Sequence, residues 1–324
     1  TEGRDAHAHA AAVGGTVGGG GLAALALLDA RHCTSLVALP PRIGSALPSL
    51  RELLLRGCTA LRALPPSVCD ARALEVLDLN ECEVLEGLPP NLGDLAPTLT
   101  ALVLDDCYAL VSLPASLTCC AALQSLNLYQ CTALTSLPDG LGGLAALQTM
   151  DLEGCEALQS LPDSLAEMAA LQDLCLKGCT SLAVLPEAIG GMRALRNLDL
   201  SGCAALWSLP PSLDDLPALE SLDLTDCREL GVRADSGGDD DDDEAAIPFG
   251  LEFPGLRARG VEVTIGVSEP DDDAEDGDDD AGSGDGESLR RSKSCSARSR
   301  SSSALGRYAD NDKRLVVAAE GGDD

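Results

Sequence analysis

Wrapped at a period of 24 residues, with two steps of 25, the chain falls into columns of like residues. Leucine or its equivalent opens a unit at positions 25, 50, 74, 99, 123, 147, 171, 195 and 219. Between these starts the order of apolar and polar positions repeats closely, as in LQSLNLYQCTALTSLPDGLGGLAA from Leu123 and LRNLDLSGCAALWSLPPSLDDLPA from Leu195. The shared pattern is LxxLxLxxCxxLxxLPxxLxxLxx. In its LxxLxL stretch, residues such as Leu126 and Leu128 alternate with polar neighbours, the period-2 mark of a half-buried strand. The following LP step, Leu137–Pro138 for example, turns the chain back along an outer face, where a fixed φ helps and no sheet hydrogen bond is lost.

One such unit cannot bury its leucines alone, but neighbours on both sides can. The pattern therefore predicts an α/β solenoid of nine units. Its parallel sheet has strands about 4.8 Å apart and runs for about 40 Å. Each buried Leu contributes roughly 1.5–3 kcal/mol, so the array is stable only as a collective.

Nine of the fourteen cysteines share one column: Cys33, Cys58, Cys82, Cys107, Cys131, Cys155, Cys179, Cys203 and Cys227. They stand where each strand ends and the chain bends inward, a place for a small side chain that satisfies turn backbone groups. An odd column of thiols in separate units reads as structural rather than as a disulfide framework, which points to a reducing compartment, the cytoplasm or the nucleus. Cys69, Cys119, Cys120, Cys175 and Cys295 lie outside the column and show no metal-ligand spacing.

The motif LxLxxCxxLxxLPxxLGxL, carried by units such as LDLSGCAALWSLPPSL, resembles the leucine-rich repeats of plant intracellular disease-resistance receptors and their plant and algal relatives. The resemblance spans about residues 22–267. It implies a right-handed horseshoe with the sheet on the concave face, recognising a protein ligand or an intramolecular partner in immune or other signalling. Those receptors also carry a nucleotide-binding switch domain, and no GxxxxGK[ST] loop occurs here.

Around the array, residues 1–21 form a Gly/Ala-rich segment expected to be disordered. The chain starts without Met, and no cap precedes Leu25, so a further upstream piece is expected. After Leu230 an acidic insertion, residues 235–246, interrupts the last unit. Residues 247–267 then supply a C-terminal cap, with Ile247–Pro248 as a delayed LP step. Leu251, Phe253 and Leu256 fill the last core layer, and Val261, Val263 and Ile265 alternate as a closing strand. Residues 268–324, first acidic and then rich in Arg and Ser, are too polar to fold. Within them Ser292 and Ser294 follow basic residues and are candidate phosphorylation sites.

Composition narrows the function. Apolar residues make up 45% of the 324, yet aromatics only 2%, which suits a stack of small aliphatic side chains. A net charge of −31 argues against nucleic acid or an anionic membrane as partner. Three histidines, no phosphate loop and no nucleophile elbow leave no catalytic constellation and no cofactor site. The remaining candidate is the concave face, whose outward columns follow from the alternation. One runs Asp29, Leu54, Asp78, Val103, Asn127, Asp151, Cys175, Asp199, Asp223. The next runs Arg31, Arg56, Asn80, Asp105, Tyr129, Glu153, Lys177, Ser201, Thr225.

With Arg51 nearby, the first two units read as basic and the rest as acidic, with Tyr129 as the one aromatic. Such a groove suits a protein partner with a basic segment; its alternative is a solvated face that keeps a Leu-rich array soluble. The expected function is a non-catalytic recognition module. The alternative is a regulatory fragment of a larger signalling enzyme or nucleotide-dependent switch whose catalytic domain lies upstream. Trp207, on the outer arc, is expected to pack partly on the next turn.

Overall fold

The computed structural model describes residues 22–230 and 253–266. These all belong to the first of two units, Thr1–Asp285; the second, Gly286–Asp324, lies outside them. Ten strands of three residues each form one parallel sheet, ordered as they occur in the chain. They are β1 (Leu27–Asp29), β2 (Glu52–Leu54), β3 (Val76–Asp78), β4 (Ala101–Val103), β5 (Ser125–Asn127), β6 (Thr149–Asp151), β7 (Asp173–Cys175), β8 (Asn197–Asp199), β9 (Ser221–Asp223) and β10 (Glu262–Thr264). The chain is thus a leucine-rich-repeat solenoid, with nine units and a tenth closing strand.

Register explains why the repeat is so regular. The central residues Leu53, Leu77, Leu102, Leu126, Met150, Leu174, Leu198 and Leu222 sit opposite one another along the sheet and are all buried. Leu128 and its counterparts one position past each strand complete the layer. A unit slipped by one residue would turn this row outward.

The outer arc is built by the LP step. Pro65, Pro114, Pro162, Pro186 and Pro210 hold φ between −64° and −73° and extended ψ. Each then leads into a short 3-10 turn, such as Asp163–Glu167 or Glu187–Gly191. The ring presets φ and withholds no N–H that the turn requires. Where these turns stack, bulk is excluded: a Cβ on Gly190 would lie 2.3 Å from the Ser212 carbonyl oxygen. The first unit instead carries the short helix α1 (Ile43–Ala46).

The turn after each strand carries the cysteine column. Sγ of Cys58, Cys82, Cys107, Cys131, Cys155, Cys179, Cys203 and Cys227 lies 3.1–3.4 Å from a backbone carbonyl oxygen in the preceding unit. Each thiol donates to a buried acceptor that would otherwise lose its water partner. Burial pushes the thiols of Cys82, Cys155 and Cys227 up to about 12, so they stay protonated at neutral pH. Cys33, in the first unit, is exposed.

The residue before each of these cysteines adopts the left-handed conformation. It is Gly at 57, 154, 178 and 202, but His32, Glu81, Asp106, Gln130 and Asp226 also hold φ of 57–60°.

At the far end, α2 (Pro254–Ala258) leads into β10, which pairs with β9. The carboxylate of Asp214 accepts the N–H groups of Gly255 and Leu256, both at 2.8 Å, and so caps α2. Arg259 donates to the carbonyls of Asp214 and Leu216. Phe253 and Leu256 are buried, Phe253 being the single aromatic in the core among the described residues. Val261 and Val263 pack partly against the core. Ile265, expected to alternate with them, is exposed because the strand ends at Thr264. The expected insertion 235–246 and the residues Ile247, Pro248 and Leu251 lie outside the described residues, as do residues 1–21 and 268–324 with Ser292, Ser294 and Cys295.

Candidate functional site on the open face of the sheet

Three columns of side chains leave the sheet on the face away from the core. They flank and include the last residue of each strand. The middle column, read from the alternation as exposed, is largely buried. Asp78 is 6%, Asn127 2%, Asp151 3% and Asp199 7% exposed, and Val103 and Cys175 are buried with them. Two causes combine. Neighbouring strands about 4.8 Å apart, together with the columns on either side, cover the middle row. The polar members also fold back onto their own chain, accepting the N–H two residues on. These bonds are 3.1 Å for Asp78, 3.0 Å for Asn127 and Asp151, and 2.9 Å for Asp199 and Asp223. Each is an Asx turn that ends the strand, so this column builds the surface as well as presenting charge.

The basic first two units dissolve into local pairs. Arg31 bonds Asp29 at 2.7 Å, Arg51 bonds Glu75 at 2.6 Å, and Arg56 bonds Glu81 at 2.8 Å. All three arginines point into water, where such pairs contribute little to stability, but each cation is already compensated. The positive charge of the first two units is thus locally matched by carboxylates.

The centre of the face is different. Asp105 on the turn after β4, Tyr129 after β5, Glu153 after β6 and Lys177 after β7 form the outer column, half-buried, beside Asn127, Asp151 and Cys175. Burial lifts the Asp105 carboxyl to about 7, with the charges of Asp151, Asp106 and Asp78 adding to the rise and a backbone hydrogen bond opposing it. Burial likewise lifts Asp151 to about 6, helped by the charges of Glu153 and Asp199 and opposed by hydrogen bonds from the Glu153 N–H and the Cys175 thiol. Asp78 and Asp199 are raised for the same first reason. Lys177 lies 3.3 Å from Glu153. One oxygen of Asp105 and the amide nitrogen of Asn127 are buried with no hydrogen-bond partner among the described residues.

The structure therefore brings Asp78, Asp105, Asn127, Tyr129, Asp151, Glu153, Lys177 and Asp199 onto one face. Asp223, at the C-terminal end, bonds Thr225. Cys175 joins the centre although its sequence spacing shows no ligand motif. Its thiol and the carboxylates of Asp151 and Glu153 bring their ligand atoms within 4.8 Å of one another. On the outer arc Trp207 remains 41% exposed, with Val111 and Val184 as further exposed apolar groups. No helix among the described residues is long and apolar enough to cross a membrane.

Comparison with known proteins agrees on the class. Residues 73–95 match the family model described as Leucine Rich Repeat. No curated protein matches the chain. Among solved structures the chain is similar to the leucine-rich repeat domain of the type III effector XCV3220 (XopL). The TM-score is 0.55 at 24% identity, covering 71% of this chain and 73% of that one. Looser overlaps occur with the plant peptide hormone receptor RGFR1 in complex with RGF2 (TM-score 0.31, 21% identity, 60% of this chain and 44% of that chain). Another is with the Drosophila Toll–Spatzle complex (TM-score 0.38, 21% identity, 58% of this chain and 28% of that one). The first likeness concerns the fold, and the fold rests chiefly on the ten-strand sheet itself.

Proposed function

We propose that the chain is a non-catalytic recognition module that holds a protein segment carrying Lys or Arg across the centre of its open sheet face. The observation that carries this reading is the crowding of buried carboxylates around Asp105 and Asp151. Asp151, Asp106 and Asp78 act on Asp105, and Glu153 and Asp199 on Asp151, so an incoming cation relieves repulsion that the isolated fold tolerates. Tyr129, beside them, supplies a ring against which an alkyl or guanidinium group can lie. The arginines of the first units, already paired, do not repel such a partner.

A reducing compartment, the cytoplasm or nucleus, is part of the same proposal. It is supported by thirteen cysteines among the described residues, none of them in a disulfide. A place in intracellular signalling belongs to it as well, on the strength of the repeat motif.

The test is fluorescence anisotropy with a panel of extended peptides, Lys/Arg-rich, neutral and Asp/Glu-rich, at two salt concentrations. Basic peptides should bind best, more weakly at high salt, and at least about tenfold more weakly to the Tyr129→Ala, Asp151→Ala double variant. Equal binding of acidic and basic peptides, or no effect of the double variant, refutes the reading.

A further inference from the structure

We propose that Asp151, Glu153 and Cys175 form a binding site for one divalent metal ion of zinc-like softness on the open face between β6 and β7. The ligand set comes from two neighbouring units. Asp151 ends β6 and Glu153 follows two residues later, on the same side of the sheet. Cys175 ends β7, directly opposite Asp151 in register. The ligand atoms of the three side chains all lie within 4.8 Å of one another. In a tetrahedral site with metal–oxygen and metal–sulfur bonds of about 2.0–2.3 Å, ligand atoms stand about 3.5 Å apart. A gap of about 1 Å is therefore what an ion must close on binding.

Several features distinguish this triad from an ordinary acidic patch. Asp151 is 3% and Cys175 2% exposed, so both ligands are fixed by the surrounding columns rather than waving in water. Cys175 replaces the Asp or Asn found at this column in β3, β5, β6, β8 and β9. It thereby adds the soft ligand that selects zinc over calcium or magnesium.

Asn127 lies beside Asp151 in register and is 2% exposed. Its Oδ1 accepts the Tyr129 N–H, while its Nδ2 finds no acceptor among the described residues. A water or small anion in the metal's fourth position is an acceptor for that amide.

Charge also balances. Two carboxylates and a thiolate carry three negative charges, which the ion and the Lys177 ammonium at 3.3 Å from Glu153 together neutralise. On binding, the Cys175 thiol releases its proton to solvent and sulfur takes its place in the metal's coordination shell. This site shares Asp151 with the peptide reading above, so bound metal should weaken the binding of basic peptides, while the cobalt band reads the site whether or not that reading holds.

The experiment titrates the full chain with Co²⁺ at neutral pH and follows the near-ultraviolet thiolate-to-cobalt charge-transfer band. One equivalent should saturate it with release of about one thiol proton, and Zn²⁺ should displace it. The Cys33→Ser, Cys119→Ser, Cys295→Ser variant, which removes Cys295 and the exposed thiols among the described residues, should keep the band, and Cys175→Ser should lose it. Glu153→Gln, a substitution of equal size whose folding is checked by circular dichroism, should lower affinity at least about tenfold. The proposal is overturned by a wild-type chain without the band, or by a band that survives Cys175→Ser. An affinity unchanged in Glu153→Gln overturns it too.

Discussion

Replacing Asp105 by Asn tests the electrostatics of the open face directly. In the folded chain burial raises the Asp105 carboxyl to about 7; in the unfolded chain an Asp titrates at about 3.9. The folded state thus retains a proton that the unfolded state gives up, and stability falls as pH rises from about 4 to about 7. Below that window the destabilisation is absent, and above it the loss is complete. At about 1.36 kcal/mol per pH unit the full loss is about 4 kcal/mol.

Between pH 5 and pH 8 roughly two-thirds of it should develop. Water reaching the half-open face lowers that to about 2 kcal/mol. Asp105→Asn keeps the size of the side chain but cannot ionise, so it removes this slope. Urea unfolding of both proteins at pH 5, 6, 7 and 8 reads the difference. The variant's advantage should grow by about 2 kcal/mol across the series. An advantage that stays constant or shrinks with rising pH would show that Asp105 ionises normally in the folded chain, and the argument for a crowded acidic centre would fail.

Two further predictions concern the scaffold. Leu128→Ala, at a fully buried site, should cost about 2–5 kcal/mol in the same unfolding assay. Gln124→Ala, at an exposed site one strand-start away, should cost little; equal losses would contradict the register. Gly178 has φ of 69° and a Cβ there would meet nothing closer than 3.8 Å, so Gly178→Ala isolates backbone strain and should cost about 1 kcal/mol. Gln130→Gly, at φ of 57°, should be neutral or slightly stabilising, because relief of left-handed strain offsets the added chain entropy. A large loss from Gln130→Gly, or none from Gly178→Ala, would place the strain elsewhere.

What the sequence makes legible is the core. Leu126 and Leu128 are buried because alternation and period agree, and a strand with that pattern has only one face that suits its leucines. The LP step is equally legible, since proline fixes one dihedral wherever it stands. The left-handed turn is legible only in part: Gly precedes Cys at 57, 154, 178 and 202, and that repeated dipeptide is a sufficient signal. Glu81 and Gln130 hide the same conformation, because the tertiary ladder imposes it whatever the side chain. The state of the open face is the part that alternation misreports. Alternation says which way a side chain points, not how much water reaches it. In strands only three residues long, an outward Asp151 still has neighbours above, below and on both sides.

Ligand-spacing rules for helices and turns look for pairs two to five residues apart, and by that measure Cys175 has no partner. In a solenoid the chain returns to the same place once per unit, so the spatial neighbour of a residue is the one a full period away. Asp151 and Cys175 are 24 positions apart and directly opposite in the sheet. The same step relates Asn127 to Asp151 and Cys175 to Asp199. Chemistry on this face is therefore written down the columns rather than along the chain. A site appears where one column changes residue type, as it does at Cys175 among aspartates. The order of units around that change is thus a stronger constraint on function than any motif within one unit. A variant exchanging Cys175 with Asp199 would keep the composition, the charge and each unit's pattern. It would separate the thiol from Asp151 and Glu153, and so should remove the cobalt band while leaving the fold intact.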